Sequence, residues 1–474
     1  MQTYDLVVIG SGPGGQRAAV AAAKLGKRVA VVERMKVVGG DCINTGTIPS
    51  KTLREAVIDL SGLRQRSLYG VAYRSRTEIT AQDLLLRTGI VMQRERDVVE
   101  AQLRRNGIQL ISGTARFVDA NRVAVNNGTH DEVLTAEVIV IATGSAPSLP
   151  PGIEVDHHTV LTSDDILSLV KLPRTLTVVG AGVIGVEYAT IFAVLGIEVT
   201  LLDKRDSLLD MVDREIVDAM IHEARGMNLT LRLGEEVDHL EFGGTAHVVV
   251  AMKSGKRMAT DMALISAGRV GNTAKLALER AGLAADARGR IVVNEHYQTA
   301  VPHIYAVGDV IGFPALAATS MEQGRIAACH AFGVPTTSVP ALFPFGIYSI
   351  PEIAWVGRTE EELTANGVPY ETGVAHYREI ARGQILGDSQ GMLKLIIHLE
   401  TRFILGVWVV GTQATELVHI GQAVMALSGT LDYFINNVFN YPTLAECYKV
   451  AALDGYNKLR ALGAIPARVG AENA

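Results

Sequence analysis

The sequence predicts an α/β protein with two Rossmann-like dinucleotide-binding domains and a C-terminal α+β domain. Three observations predict it. The chain has 474 residues and 47 glycines, which suits repeated tight turns between strands and helices. A strand–glycine loop–helix–strand unit occurs twice with the same internal spacing. After the proline-rich stretch Val334–Pro351 the pattern changes, with paired strands at 391–411 and then a helix.

The first unit is YDLVVIGSGPGGQRAAVAAAKLGKRVAVVER, from Tyr4; the second is RTLTVVGAGVIGVEYATIFAVLGIEVTLLDKR, from Arg174. Each reads as an apolar strand, G-x-G-x-x-G, a helix stopped at Leu-Gly, and a second strand ending in an acid. The glycines are Gly10, Gly12 and Gly15, then Gly180, Gly182 and Gly185; the acids are Glu33 and Asp203. In both units 23 positions separate the first glycine from the acid. The first glycine permits the tight turn, the second admits a pyrophosphate close to backbone, and the third lets helix pack on strand. The acid takes a ribose diol. Phosphate charge falls at the helix N-terminus, where free N–H groups and the dipole favour it. One such loop alone marks only a strand–helix turn. Two complete units with matched acids predict two bound dinucleotides.

The remaining elements follow in order. EVIVIATGS (137–145) reads as a buried strand with a glycine turn, and DMALISAGR (261–269) repeats that form at the end of the second unit. HYQTAVPHIYAVGDVIG (296–312) gives a strand ending at Gly308-Asp309, then a helix through Met321 and Arg325. After a proline-rich stretch, GMLKLIIHLETRFILGVWVVG (391–411) predicts antiparallel strands and TELVHIGQAVMAL a helix. The expected boundaries are 1–148, 149–267, 268–336 and 337–474, the third segment returning to the first domain.

Composition excludes several function classes. The net charge of −6 is spread without blocks, so neither nucleic acid nor an anionic membrane is an expected partner. No apolar run reaches the roughly 18 residues of a membrane span. MQTYDLVVIG enters a strand directly, so no secretory leader is expected. Three cysteines, Cys42, Cys329 and Cys447, are not a disulfide framework; a reducing cytoplasm is the expected home. No His, Cys or Asp cluster has metal-ligand spacing, and no metal is expected. His419 reads as a satisfied core or interface residue on the apolar face of its helix.

Residues 39–51 read GGDCINTGTIPSK. Cys42 is followed five positions later by Thr47, not by a second thiol. Thr47 before Ile-Pro also reads as a helix start. Cys42 reads as a packed thiol, since only the helix start would lower its pKa. Glu187 stands in the strongly apolar helix VIGVEYATIFAV, where a lone carboxylate is costly unless paired.

Together these stretches resemble the pyridine nucleotide–disulfide oxidoreductase family, from about Tyr4 to Leu462. The resemblance implies that the first unit binds FAD, one per subunit, and the second a nicotinamide dinucleotide. It implies that the C-terminal α+β domain is a dimerisation domain completing the partner's active site. Residue by residue, it implies that Glu33, beside Arg34, holds the adenosine ribose of FAD and Asp309 the ribityl–phosphate region. Ala142, Thr143 and Gly144 would lie along the pyrophosphate, the backbone at Ala115 near the adenine, and Gly40 and Cys42 at the flavin. Lys51 would stand by flavin N5 with Glu187 as its ion-pair partner, the two catalytic residues. Gly268 joins the nicotinamide site.

The sequence departs from that family where dithiol chemistry resides. Thr47 replaces the thiol that would face the flavin. In NYPTLAE (440–446) Tyr441 stands for the catalytic histidine, while the orienting acid, Glu446, remains; Tyr441 reads either as packing or as a hydroxyl near the flavin. Both departures resemble a narrower branch, the soluble Si-specific NAD(P)+ transhydrogenases, as do GTIPSK (46–51), FNYPT (439–443), GQAVM (421–425), SIPEI (349–353) and YAVGDVIGFPALA (305–317). The chemistry agrees. Reducing a disulfide needs an attacking thiolate, a resolving thiol and an acid–base group. Moving hydride between NADPH and NAD+ by way of a flavin needs none of them. An NAD(P)H:quinone or dye reductase with the same flavin half remains the alternative.

The nicotinamide site reads two ways. Asp203 suits the 2′-OH of NAD(H) and repels a 2′-phosphate, whereas Lys204 and Arg205 offer that phosphate of NADP(H) cationic partners. An acid beside two bases suits a site taking both substrates in turn. A homodimer, or a higher homo-oligomer, is expected.

Overall fold

Strands whose residues are apolar without alternation pair in the middle of a parallel sheet covered on both faces. LVVI at 6–9 and VAVV at 29–32 are such runs, and both are wholly buried. The computed structural model describes residues 2–70, 79–242, 247–336 and 342–464. The boundary expected at 336/337 therefore borders residues outside those described. The chain forms two compact units: Met1–Leu53, Thr80–Leu172 and Ser266–Pro340 make the first, and Arg54–Ile79, Pro173–Ile265 and Ala341–Ala474 the second.

In the first unit, strand Gln2–Ile9 lies parallel between Val29–Glu33 and Asp131–Ile141. Gln109–Ser112 extends this sheet on one side and Ile304–Ala306 pairs with Asp131–Ile141. Strands Arg122–Asn126 and Thr114–Asp119 add an antiparallel edge. Helix Pro13–Lys24 packs on helix Ala317–Ala331, the helix expected around Met321 and Arg325. The two approach closely because both are glycine there: a β-carbon on Gly324 would stand 2.0 Å from the Gly14 carbonyl oxygen.

In the second unit, strand Thr175–Val179 lies parallel between Glu198–Asp203 and Met262–Ile265, with Leu229–Leu233 beyond Glu198–Asp203. Three antiparallel strands, Val237–Phe242, Val248–Met252 and Arg257–Thr260, follow in sequence. The C-terminal part is a five-stranded antiparallel sheet in the order Phe345–Ile347, Ile353–Gly357, Ile404–Val410, Met392–His398, Tyr370–His376. Helices Ala414–Ala426 and Glu446–Ala461 cover it over a core that includes Val356, Leu393, Val407, Val418 and Tyr448. The α+β expectation for this part therefore holds. Among the described residues no helix is long and apolar enough to cross a membrane.

One buried charge stands in that sheet. Lys394, in the middle of MLKLIIH, is 0% exposed, and its ammonium lies 2.8 Å from Asp213 and 2.9 Å from Glu215, with Glu360 as a third partner. Three carboxylates oppose one ammonium, which compensates for taking it out of water.

Candidate dinucleotide sites

The first glycine loop has the shape its sequence demands. Gly10 has φ 107°, and a β-carbon there would stand 2.3 Å from the Ala142 carbonyl oxygen. One on Gly15 would stand 2.0 Å from the Gly10 oxygen, which is the close helix–strand contact. A β-carbon on Gly12 would meet nothing within 4 Å. Gly12 caps helix Pro13–Lys24 without a side-chain hydrogen bond, so the first-turn N–H groups have no side-chain acceptor there. Gly40, at φ 58°, packs against Gly12.

Glu33 ends the second strand, buried, and accepts the N–H and hydroxyl of Ser11 at 3.0 and 2.7 Å and the N–H of Met35 at 2.8 Å. The Ser11 hydroxyl in turn accepts the Gly39 N–H at 2.9 Å, joining glycine loop, acid and the GGDC turn. Sequence reasoning did not single out Ser11. Its signal was a hydroxyl between the first two fingerprint glycines. Arg34 is exposed, and Ala115 is buried opposite Val125.

Around the 142–145 turn, Thr143 Oγ1 is buried without a partner among the described residues, and so is Thr45 Oγ1. Gly144 has φ 68°. Asp309, in the short turn Gly308–Ile311, accepts the Ser145 hydroxyl at 2.8 Å. Arg269 donates to Ser145 Oγ at 2.7 Å and to Asp41 at 2.7 Å. Burial pushes the Asp41 carboxyl up to about 6, with the Arg269 guanidinium opposing it. Neither Arg269 nor Asp41 was singled out from sequence; 228 positions separate them. Gly268, at φ 106°, falls in this first unit.

Cys42 lies in helix Gly40–Asn44 and Thr47 opens helix Thr47–Ser61. Burial raises the Cys42 thiol's pKa; a hydrogen bond from Thr47 opposes the rise, and so does the charge of Lys51. The position that could have held a second thiol holds a hydroxyl instead. Lys51 donates to Ser50 Oγ at 3.3 Å. An open backbone at Gly12, a carboxylate at the strand end and buried hydroxyls lacking partners fit FAD: they admit a pyrophosphate, a ribose and polar ligand atoms respectively.

The second loop repeats the first. Gly180 has φ 106°, a β-carbon on Gly182 would meet nothing within 4 Å, and Gly185 is buried at the helix start. Asp203 accepts the Ala181 N–H at 2.6 Å, the counterpart of Ser11 on Glu33. The two cations beside it differ. Lys204 is exposed, with no hydrogen bond or ion pair among the described residues. Arg205 is not waiting for a phosphate: it is paired with Asp203 through two nitrogens. Burial works against the Asp203 charge, but Arg205 and two backbone N–H groups outweigh it and hold the carboxyl below its usual range. Glu187 is 3% exposed and accepts the Tyr348 N–H at 2.9 Å.

Tyr441 is 67% exposed, which removes the reading of it as packing within its own chain. Glu446 Oε2 is buried without a partner among the described residues. Of the two readings of His419, core or interface residue, the core reading is corrected: it is exposed on its own chain and hydrogen-bonded to Gln422, because the helix buries Leu417 and Val418 instead. Cys329 and Cys447 are buried helix residues, and burial pushes Cys447 up to about 12. Asp213, Glu215 and Glu360 converge as a metal site would, but the Lys394 ammonium sits among them.

Residues 4–324 match the pyridine nucleotide-disulphide oxidoreductase family, and 343–452 match its dimerisation domain. The soluble pyridine nucleotide transhydrogenase of Mycobacterium tuberculosis is 56% identical over 464 residues, covering 98% of this chain and 99% of its own. That of Yersinia pestis is 46% identical over 462 residues, covering 96% and 98%. Among solved structures, LpdA of Mycobacterium tuberculosis superposes with TM-score 0.87 at 26% identity, covering 96% of this chain and 99% of its own. The HOCl-induced flavoprotein disulfide reductase RclA of Escherichia coli does so with TM-score 0.86 at 28% identity, covering 95% and 99%.

Proposed function

The chain belongs to the pyridine nucleotide-disulphide oxidoreductase family, and we propose that within it this protein is a flavoprotein transhydrogenase. It transfers hydride reversibly between NADPH and NAD+, in a ping-pong cycle through one nicotinamide site. The observation that carries this reading is Thr47 in the place of a second thiol five positions after Cys42, in a chain 56% identical to soluble pyridine nucleotide transhydrogenases. A disulfide substrate has no second thiol to meet here, whereas nucleotide-to-nucleotide transfer requires none.

In this reading residues 1–148 and 268–336 hold FAD, 149–267 bind the nicotinamide nucleotides, and 337–474 form the homodimer interface, in the cytoplasm. Bound FAD supplies a two-electron carrier that takes hydride from one nucleotide and returns it to the other. The chain's own residues do the rest. Gly10, Gly12 and Gly15 with Thr143 and Gly144 take the FAD pyrophosphate side, and Glu33 the adenosine ribose. Asp309, oriented by the Ser145 hydroxyl, takes the ribityl side. Gly180, Gly182 and Gly185 receive the nicotinamide nucleotide's pyrophosphate, and Asp203, Lys204 and Arg205 read its adenosine ribose. Lys51 supplies a fixed cation that offsets negative charge on the flavin, with Glu187 as its counter-ion. Cys42 stays a neutral thiol and packs.

Anaerobic addition of NADPH, followed by NAD+, tests this with flavin absorbance as readout. NADPH should bleach the flavin, and NAD+ should restore it with formation of NADH. A flavin that stays bleached until a quinone or dye is added would remove NAD+ as the acceptor.

A further inference from the structure

Arg205 is held at both ends. Its Nε and Nη2 close a two-point ion pair on Asp203, at 3.0 and 2.8 Å, while Nη1 stands 3.1 Å from Asp210. The Ser207 hydroxyl hydrogen-bonds Asp210 and holds that acid within reach of Arg205. Asp203 is nearly buried, whereas the Asp210 side chain is 49% exposed. Two acids thus share one guanidinium, and only Asp203 occupies the ribose position of the fingerprint.

The two nucleotides make opposite demands at that position. A ribose with a free 2′-OH needs the Asp203 carboxylate as acceptor, so the guanidinium must move aside. A 2′-phosphate is repelled by the same carboxylate and needs it neutralised, with a cation facing the phosphate. The geometry points to Arg205 as a two-position selector: parked on Asp210 while NAD(H) is bound, and drawn over Asp203 toward the 2′-phosphate while NADP(H) is bound. Asp210 sets the balance between the two positions. A guanidinium suits this task because its rigid fork has five N–H donors, enough to hold one acid and still face a second anion. Lys204, exposed and without an acid partner among the described residues, adds attraction for the phosphate in either position. The inference rests on the reading of one site that serves both nucleotides, and says how one set of side chains does so.

The test is calorimetric titration of the FAD-loaded protein with 5′-AMP and with 2′,5′-ADP, which carry the adenosine half without a nicotinamide. Asp210→Asn keeps the shape of the side chain and removes the charge on which Arg205 parks. It should weaken 5′-AMP by about three- to fivefold, the scale of a half-exposed ion pair, and leave 2′,5′-ADP as tight or tighter. Arg205→Leu should do the reverse, weakening 2′,5′-ADP by on the order of tenfold and sparing 5′-AMP. An Asp210→Asn protein whose two affinities are unchanged, or change together, overturns the selector. Neither ligand accepts hydride, so this result is separate from the outcome of the NADPH and NAD+ experiment.

Discussion

The Glu187 carboxylate accepts the backbone N–H of Tyr348 at 2.9 Å. Every helix residue from Gly185 to Val194 is buried, so this acid lies where an unpartnered charge would cost several kcal/mol. The task proposed for it is to hold the cation of Lys51.

Lys51→Met is predicted to bind FAD through the Gly10–Glu33 unit yet reduce it slowly. Loss of one preorganised electrostatic contact costs on the order of 10²–10³ in rate. Glu187→Gln should slow it less, since glutamine still accepts the Tyr348 N–H and Lys51 keeps its charge. Stopped-flow reduction by NADPH measures both. If Lys51→Met is reduced as fast as the parent, Lys51 has no part in the chemistry.

The raised pKa of Cys42 predicts a neutral thiol at physiological pH. NADPH titration should therefore stop at two electrons per flavin, without a thiolate-to-flavin charge-transfer band, and thiol alkylation or arsenite should spare most activity. Uptake of four electrons per flavin would contradict this assignment.

Two glycines of one loop should respond oppositely to alanine. The methyl group of Gly12→Ala enters open space, so the protein should fold but hold FAD weakly. That of Gly15→Ala meets the Gly10 carbonyl at 2.0 Å and should destabilise the fold itself. Flavin content and the unfolding midpoint of each purified variant distinguish the two effects.

Lys394→Met leaves Asp213, 1% exposed, without its cation. Breaking a buried pair on one side costs about 3–5 kcal/mol, so the unfolding midpoint should fall. Adding Asp213→Asn should recover part of the loss, because the uncompensated charge goes with it. No recovery would mean that the lysine stem, and not the charge pair, carries the stability.

Asp41 predicts a pH dependence. Burial pushes its carboxyl in the folded protein up to about 6, above the ordinary 3.8, so the folded state disfavours its charge. The cost is absent below the unfolded pKa, grows as pH rises toward 6, and is then complete. Relative to the parent, Asp41→Asn should thus gain stability between about pH 4 and pH 6 and hold that gain above it. Denaturant titrations across this range check the sign; a difference independent of pH would place the Asp41 pKa near its ordinary value.

Much of the protein was legible because its signals are local. Gly10 and Glu33, like Gly180 and Asp203, lie within one strand–helix–strand unit, where turn chemistry and apolar runs specify backbone shape directly. The unbroken apolar runs of the parallel strands and the missing thiol at Thr47 belong to the same class of signal. The helix Ala414–Ala426 was legible too, but not which residues its own chain buries: His419 read as a core or interface residue on the apolar face, and the packing turned Leu417 and Val418 inward.

Charge pairing was the part that needed the fold. Lys394 looks like a solvent-facing interruption of a strand until Asp213, 181 positions away, is brought to its ammonium. Arg269 joins Asp41 and Ser145 only after three segments of the chain converge. Even neighbours were undecided: Asp203, Lys204 and Arg205 are consecutive, yet only the structure turns Arg205 onto Asp203 and leaves Lys204 in solvent. The reason is physical. Backbone preference acts over a few residues and is written in their order, whereas the cost of a buried charge depends on which partner the whole chain delivers to it.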